Sequence, residues 1–165
     1  MDLASLPNHS GIYALRNHRG ELQYVGITTM TIKKRVEQYH VAGDGNSHKY
    51  SSVYNGGLLW SERKHPDNHP VDGKIAKRIR RLFCRATCTA TGIIMPDHTE
   101  PQLREIETEV INILGPQLAW NGKKILPFEM VTISDIESSG IPTTLDEIGA
   151  LDRQNQRWIT TQNEG

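Results

Sequence analysis

Two short apolar runs, each carrying a tyrosine and joined by four turn-forming residues, constrain this chain more than anything else in it. Residues 11–16 (Gly-Ile-Tyr-Ala-Leu-Arg) and 21–27 (Glu-Leu-Gln-Tyr-Val-Gly-Ile) flank Asn17-His18-Arg19-Gly20. Strand formers on both sides of a loop that ends in glycine spell a β-hairpin. A regular ladder closed by a four-residue loop sets Arg16 opposite Glu21, Leu15 opposite Leu22 and Tyr13 opposite Tyr24. Directly opposed residues share one face of a sheet, so the spacing predicts two phenols side by side. Such a pair can pack as core, or it can act jointly on one substrate atom.

The rest of the chain supplies elements to put around that hairpin. Thr31 caps a helix predicted over about 32–41. At about 100° per residue, Ile32, Val36 and Tyr39 form its apolar stripe, with Arg35 on one edge and His40 on the other. Residues 43–73 are rich in Gly, Asn and Pro and read as loops, with an apolar piece near Leu58-Leu59-Trp60. A basic helix over about 74–83 turns Ile75, Ile79 and Leu82 inward, and the β-branched run 86–95 reads as a strand. Thr99-Glu100-Pro101-Gln102 is a capping box that opens a helix over about 100–114, before Gly115-Pro116. A possible strand lies within 117–133. Thr144 to Glu147 is a second capping box and opens an acidic C-terminal helix.

Charge is informative in its distribution, since the chain carries 19 basic and 19 acidic residues. Residues 1–122 hold a small positive excess and residues 123–165 the matching negative one. Lys74, Lys77, Arg78, Arg80, Arg81 and Arg85 fall within twelve positions that contain no acid. A local stripe of that kind attracts phosphate even on a neutral protein; otherwise it is a solvated helix face. No apolar run approaches the ~20 residues a membrane helix needs. The N-terminus lacks a signal-peptide pattern. Two cysteines make no disulfide framework, and the expectation is a cytoplasmic protein.

One carboxylate is out of place. On the 100–114 helix, Leu103, Ile106, Val110, Ile111, Ile113 and Leu114 make the apolar side, and Glu105 and Glu109 fall opposite. Glu107 falls among the apolar residues, where a carboxylate is costly unless paired or bound to a cation. It can be a salt-bridge partner, for instance of Arg35, or a metal ligand or base at the floor of a cleft. Two phenols, an arginine and one inward glutamate suit phosphodiester hydrolysis. A single carboxylate fits Mg²⁺, which prefers oxygen ligands and retains water, and Arg suits phosphate.

These residues resemble the GIY-YIG nuclease family. Gly11-Ile12-Tyr13 matches the first signature triplet and Tyr24-Val25-Gly26 a common form of the second. Arg35, Glu107, Pro116 and Asn121 follow in the family's order. The resemblance implies an α/β (α+β) fold, a small three-stranded antiparallel sheet flanked by helices, and metal-dependent cleavage of double-stranded DNA by water. It implies one Mg²⁺ (or Mn²⁺) per active site on Glu107, and Tyr13 as general base or orienter of the water. Arg35 would bind the scissile phosphate, and Tyr24 would brace the phosphate or the water. Tyr39 stands four residues after Arg35, where the family often has His or Tyr, with His40 one later as a further helper. Asn121 would tie the site together through hydrogen bonds. The chain departs from the pattern at Ile27, where some members have Lys. Lys33 or Lys34 would have to take that role, or it is absent. The distance from Arg35 to Glu107 is also longer than in minimal members.

The expected organisation is a catalytic domain over 1–125, with an internal DNA-contacting insertion at about 43–85, and a partly helical C-terminal extension over 126–165. The DNA-contacting set is Lys33, Lys34, Lys74, Lys77, Arg78, Arg80, Arg81 and Arg85. Tyr50, Tyr54 and Trp60 in the insertion could stack on DNA or form a minor core. The expected protein is a stand-alone restriction-type or phage endonuclease, a homodimer or homotetramer, with no membrane span and no nucleotide cofactor. The alternatives are a catalytically inactive DNA-binding module of the same fold and a repair or structure-specific nuclease. His65, His69, Cys84 and Cys88 also have spacings compatible with zinc, although His65-Pro-Asp-Asn-His69 is a poor helix, and Cys88 reads better as a small core hydrophobe.

Overall fold

The hairpin forms, with strands β1 (Gly11–Arg16) and β2 (Leu22–Thr28), in a computed structural model that describes residues 5–43, 48–55, 70–123 and 126–164. Its register differs from the regular ladder. Leu15 pairs with Tyr24 and Tyr13 with Gly26, while Arg16 pairs with Leu22. Two local features each move the pairing by one residue. The loop is closed by Asn17, whose backbone N–H donates to the Glu21 carbonyl and whose side-chain oxygen accepts from the Arg19 and Glu21 amides. That leaves a three-residue loop ending in Gly20 at φ 79, the left-handed position that such loops require. The pairing then shifts again between Leu15 and Arg16, where Gln23 is the extra residue of a bulge. One slip would have sent Tyr24 to the opposite face; two restore it to the face of Tyr13.

Strand β3 (Thr89–Ile94) pairs antiparallel with β1, giving the sheet order β2-β1-β3. The fold is therefore a three-stranded antiparallel sheet flanked by helices. Helix α1 starts at Ile32, capped by Thr31, whose hydroxyl accepts from Lys34 N–H. It continues from Arg35 to Val41 as a π-helix, not as the uniform α-helix the sequence suggests. Next come α2 (Lys49–Tyr54), α3 (Pro70–Thr87), α4 (Glu100–Leu114), α5 (Ile133–Ser139) and α6 (Leu145–Glu164). The capping box at Thr99 and Gln102 makes both of its bonds. No strand forms within the described part of 117–133; α5 opens there on a capping box of Thr132 and Asp135. The apolar piece at 58–60 lies outside the described residues.

The two sheet faces bury different partners. Tyr13 and Leu15 face a core made with Ile32, Val36, Tyr50, Val53, Tyr54, Ile79 and Phe83, so α2 and α3 are built into the main core. Tyr50 and Tyr54, considered for stacking on DNA, are buried there. The Tyr50 hydroxyl sits 3.0 and 2.7 Å from the carbonyls of Arg16 and Thr89, and the Tyr54 hydroxyl accepts from the His18 backbone N–H and meets its ring Nδ1. On the other face, Ile12 and Val25 pack against Ile106, Val110, Ile111 and Leu114 of α4. Ile113, expected on that apolar side, sits at its rim in the last turn and is 79% exposed. Among the described residues, no helix is long and apolar enough to cross a membrane.

Candidate active site

Tyr13 and Tyr24 leave their strands on the same face, and their ring centres lie 6.1 Å apart. Gly26 makes this possible. It is the cross-strand partner of Tyr13, and a Cβ there would lie 2.8 Å from the Tyr13 hydroxyl and 2.7 Å from a Tyr24 ring carbon. The last residue of the second triplet is the space that both rings occupy.

The helix that begins at Ile32 puts His40, not Tyr39, behind Tyr13. His40 is fully buried, with Nε2 2.7 Å from the Tyr13 hydroxyl. Its Nδ1 accepts the Lys49 backbone N–H at 3.0 Å, so the ring hydrogen belongs to Nε2 and is donated to the Tyr13 oxygen. Burial, followed by the nearby Arg35, His48 and Lys49, holds the imidazole pKa well below its ordinary value. His40 is thus a neutral donor to Tyr13, not its base. Tyr39 instead lies against the Arg35 guanidinium, 5.1 Å from ring centre to the Cζ carbon, and edge-on to His48.

Glu107 reaches the phenols past the edge strand β2. It is half-buried, and burial raises its pKa, opposed by Arg104 and by a hydrogen bond from the Ile27 backbone amide. Tyr13, Tyr24, Arg35 and Glu107 line one cleft of about 280 Å³, with Glu100 and Arg104 also in its wall. Arg104 is ion-paired to Glu100 at 2.6 Å. Among the described residues, Glu107 has no ion-pair partner, Arg35 included. Burial and Tyr24 raise the Tyr13 pKa while a hydrogen bond and charge from Arg35 lower it. Burial and Glu107 raise that of Tyr24, opposed by Tyr13 and Arg35.

One unpaired carboxylate facing an open cleft is an oxygen donor suited to a hydrated Mg²⁺ or Mn²⁺. No cluster of three or more His, Cys, Asp or Glu forms among the described residues. Cys84 and Cys88 are free thiols in the core, and His65 and His69 lie outside the described residues. Asn121 bonds β2 and does not line the cleft: its side-chain oxygen accepts from Val25 N–H at 3.0 Å and its nitrogen donates to the Val25 carbonyl at 2.8 Å.

The cationic candidates divide. Lys33 and Lys34 do not line the cleft. The lysine at the second phenol is Lys49, whose Nζ lies 5.1 Å from the Tyr24 ring centre. No local pattern marked it, because α2 is brought there only by tertiary packing. On α3, Lys74, Lys77, Arg78, Arg81 and Arg85 line a groove of about 600 Å³, larger than the cleft but lacking its carboxylate and phenols. Arg80 is a correction to the DNA-contacting set. It is 2% exposed, stacks on Phe128 and donates to Asn155. Burial pulls its pKa down to about 10. Lys77 is also nearly buried; Arg81 donates to the Ala42 carbonyl and Arg78 pairs with Glu147 at 2.6 Å.

A family model described as the GIY-YIG catalytic domain matches residues 9–118. No curated protein and no solved structure gives a significant match.

Proposed function

Since this chain belongs to the GIY-YIG family, a nuclease-type family that acts on DNA, we propose that it is a divalent-metal-dependent endonuclease that hydrolyses phosphodiester bonds in double-stranded DNA. The observation that carries this reading is the convergence of Tyr13, Tyr24, Arg35 and Glu107 on one cleft. Glu107 would hold the ion, which when bound supplies Lewis acidity to a phosphate oxygen. Arg35 binds the scissile phosphate, matching its charge and geometry. The Tyr13 oxygen, fixed by the His40 N–H, orients the attacking water, and takes its proton only as the phenolate, after the phenol has released its own proton to solvent. Burial and Tyr24 raise the Tyr13 pKa on balance, and Arg35 at the same oxygen offsets part of that rise. Tyr24, more open to the cleft, steadies the phosphate.

The groove along α3 supports a path for the DNA backbone, with the exposed Lys74 and Arg85 as phosphate contacts. We take the protein for a stand-alone restriction-type or phage enzyme. One cleft cuts one strand, so double-strand breaks call for a homodimer or homotetramer. The test is nicking of supercoiled plasmid with Mg²⁺ or Mn²⁺, with Glu107→Gln in parallel. The parent protein should nick, and the variant should lose on the order of a thousandfold or more in rate. No nicking by the parent across salt and metal concentrations would favour a silent DNA-binding module. Equal nicking by both would remove Glu107 from the reaction.

A further inference from the structure

Lys49 has no place in the reading above, yet it sits at the second phenol. Its residue is 9% exposed, and its ammonium lies on the Tyr24 ring, 5.1 Å from the centre. Among the described residues, that ring is the one partner the ammonium has. Arg35 is close enough to disfavour its charge, second only to burial. Among the described residues Arg35 likewise has no carboxylate partner, and it lies on an aromatic ring, that of Tyr39. The described acid in this neighbourhood, Glu107, acts on Tyr24 and is held by the Ile27 amide.

Two cations drawn together at partly desolvated positions, with neither paired to a carboxylate among the described residues, oppose folding. Contacts with aromatic faces recover only a small part of that cost. Such an arrangement is relieved where a ligand supplies the missing negative charge through charge-assisted hydrogen bonds. Arg35 and Tyr24 line the cleft together, and Lys49 stands outside that lining, on the Tyr24 ring.

We propose that Lys49 is a phosphate-binding residue, which takes the DNA phosphate next to the one Arg35 holds, so that Tyr24 lies between two successive phosphodiesters of one strand. This rests on the reading of the cleft as a DNA-cleaving site. The Lys49 backbone N–H serves His40 whatever the side chain, so a substitution isolates the ammonium.

The test is duplex-oligonucleotide binding by fluorescence anisotropy in metal-free buffer at several salt concentrations, for the parent, Lys49→Met and Lys49→Arg proteins. Lys49→Met should weaken binding about five- to tenfold and lower the slope of log affinity against log salt by about one phosphate contact. Lys49→Arg should keep the parent slope. The thermal midpoint of Lys49→Met should be equal to or above that of the parent, because an uncompensated buried cation is gone. A parent slope in Lys49→Met overturns the assignment while leaving the cleft reading intact, and so does a fall in thermal midpoint without a change in slope. Absence of salt-dependent duplex binding by the parent protein overturns both.

Discussion

The cleft and the packing between α3 and α6 use the same side chains to opposite ends. Between the two helices, charge is consumed by folding. Arg153 makes a bidentate pair with the buried Asp72 at 2.9 and 3.0 Å, Arg78 meets Glu147, and Arg80 meets Asn155. In and beside the cleft, charge is left over. Arg35 within it and Lys49 behind Tyr24 rest on rings, and Glu107 keeps a carboxylate that burial makes harder to ionise. Electrostatics of the first kind hold helices together; those of the second kind cost stability until a ligand arrives. A basic stripe in a sequence does not distinguish the two, because the partners come from elsewhere in the chain.

The contrast can be broken most decisively at Arg35. Arg35→Ala should slow plasmid cleavage on the order of a thousandfold while the thermal midpoint stays level or rises, since repulsion with Lys49 disappears. Loss of both activity and folding would make Arg35 a structural residue. On the other side, Asn155→Ala removes the acceptor of the buried Arg80, whose Nε already lacks a partner. It should cost about 2–3 kcal/mol in urea unfolding, with cleavage per folded molecule unchanged.

The smallest effect is in pH. Folding raises the Glu107 pKa through burial, so the carboxyl protonates at higher pH than when unfolded. Its contribution to stability is then fully present at low pH and lost as pH rises through the folded value. Cation binding runs the other way. Mn²⁺ affinity, followed by electron paramagnetic resonance from about pH 8 down to about pH 5, should fall before an exposed carboxylate would titrate. An affinity flat over that range would detach the ion from Glu107.

Much of this was legible in the residues. The 100° period placed Glu107 among apolar neighbours, and the structure puts it half-buried at the cleft. The capping boxes at Thr99 and Thr144 opened helices where expected. What escaped reading was set by single-residue geometry or by distant partners. Nothing in Arg-Val-Glu-Gln-Tyr-His announces a π turn, or that His40 and not Tyr39 is the residue behind Tyr13. The hairpin register depended on Asn17 closing the loop and on a bulge at Gln23, and local propensity specifies neither. Arg80 looked like a DNA contact until α6 and Phe128 covered it.

The outer border of β2 has a consequence for assembly. Gln23 offers its carbonyl to Trp120 N–H, Val25 gives both its amide and its carbonyl to Asn121, and Ile27 gives its amide to Glu107. These are the groups to which a fourth strand would attach. Asn121 stands in for one residue of that missing strand, so the placing of the cleft carboxylate and protection against edge-to-edge association share a single row of bonds. Sheet extension, where it occurs at all, is left to the far border along β3.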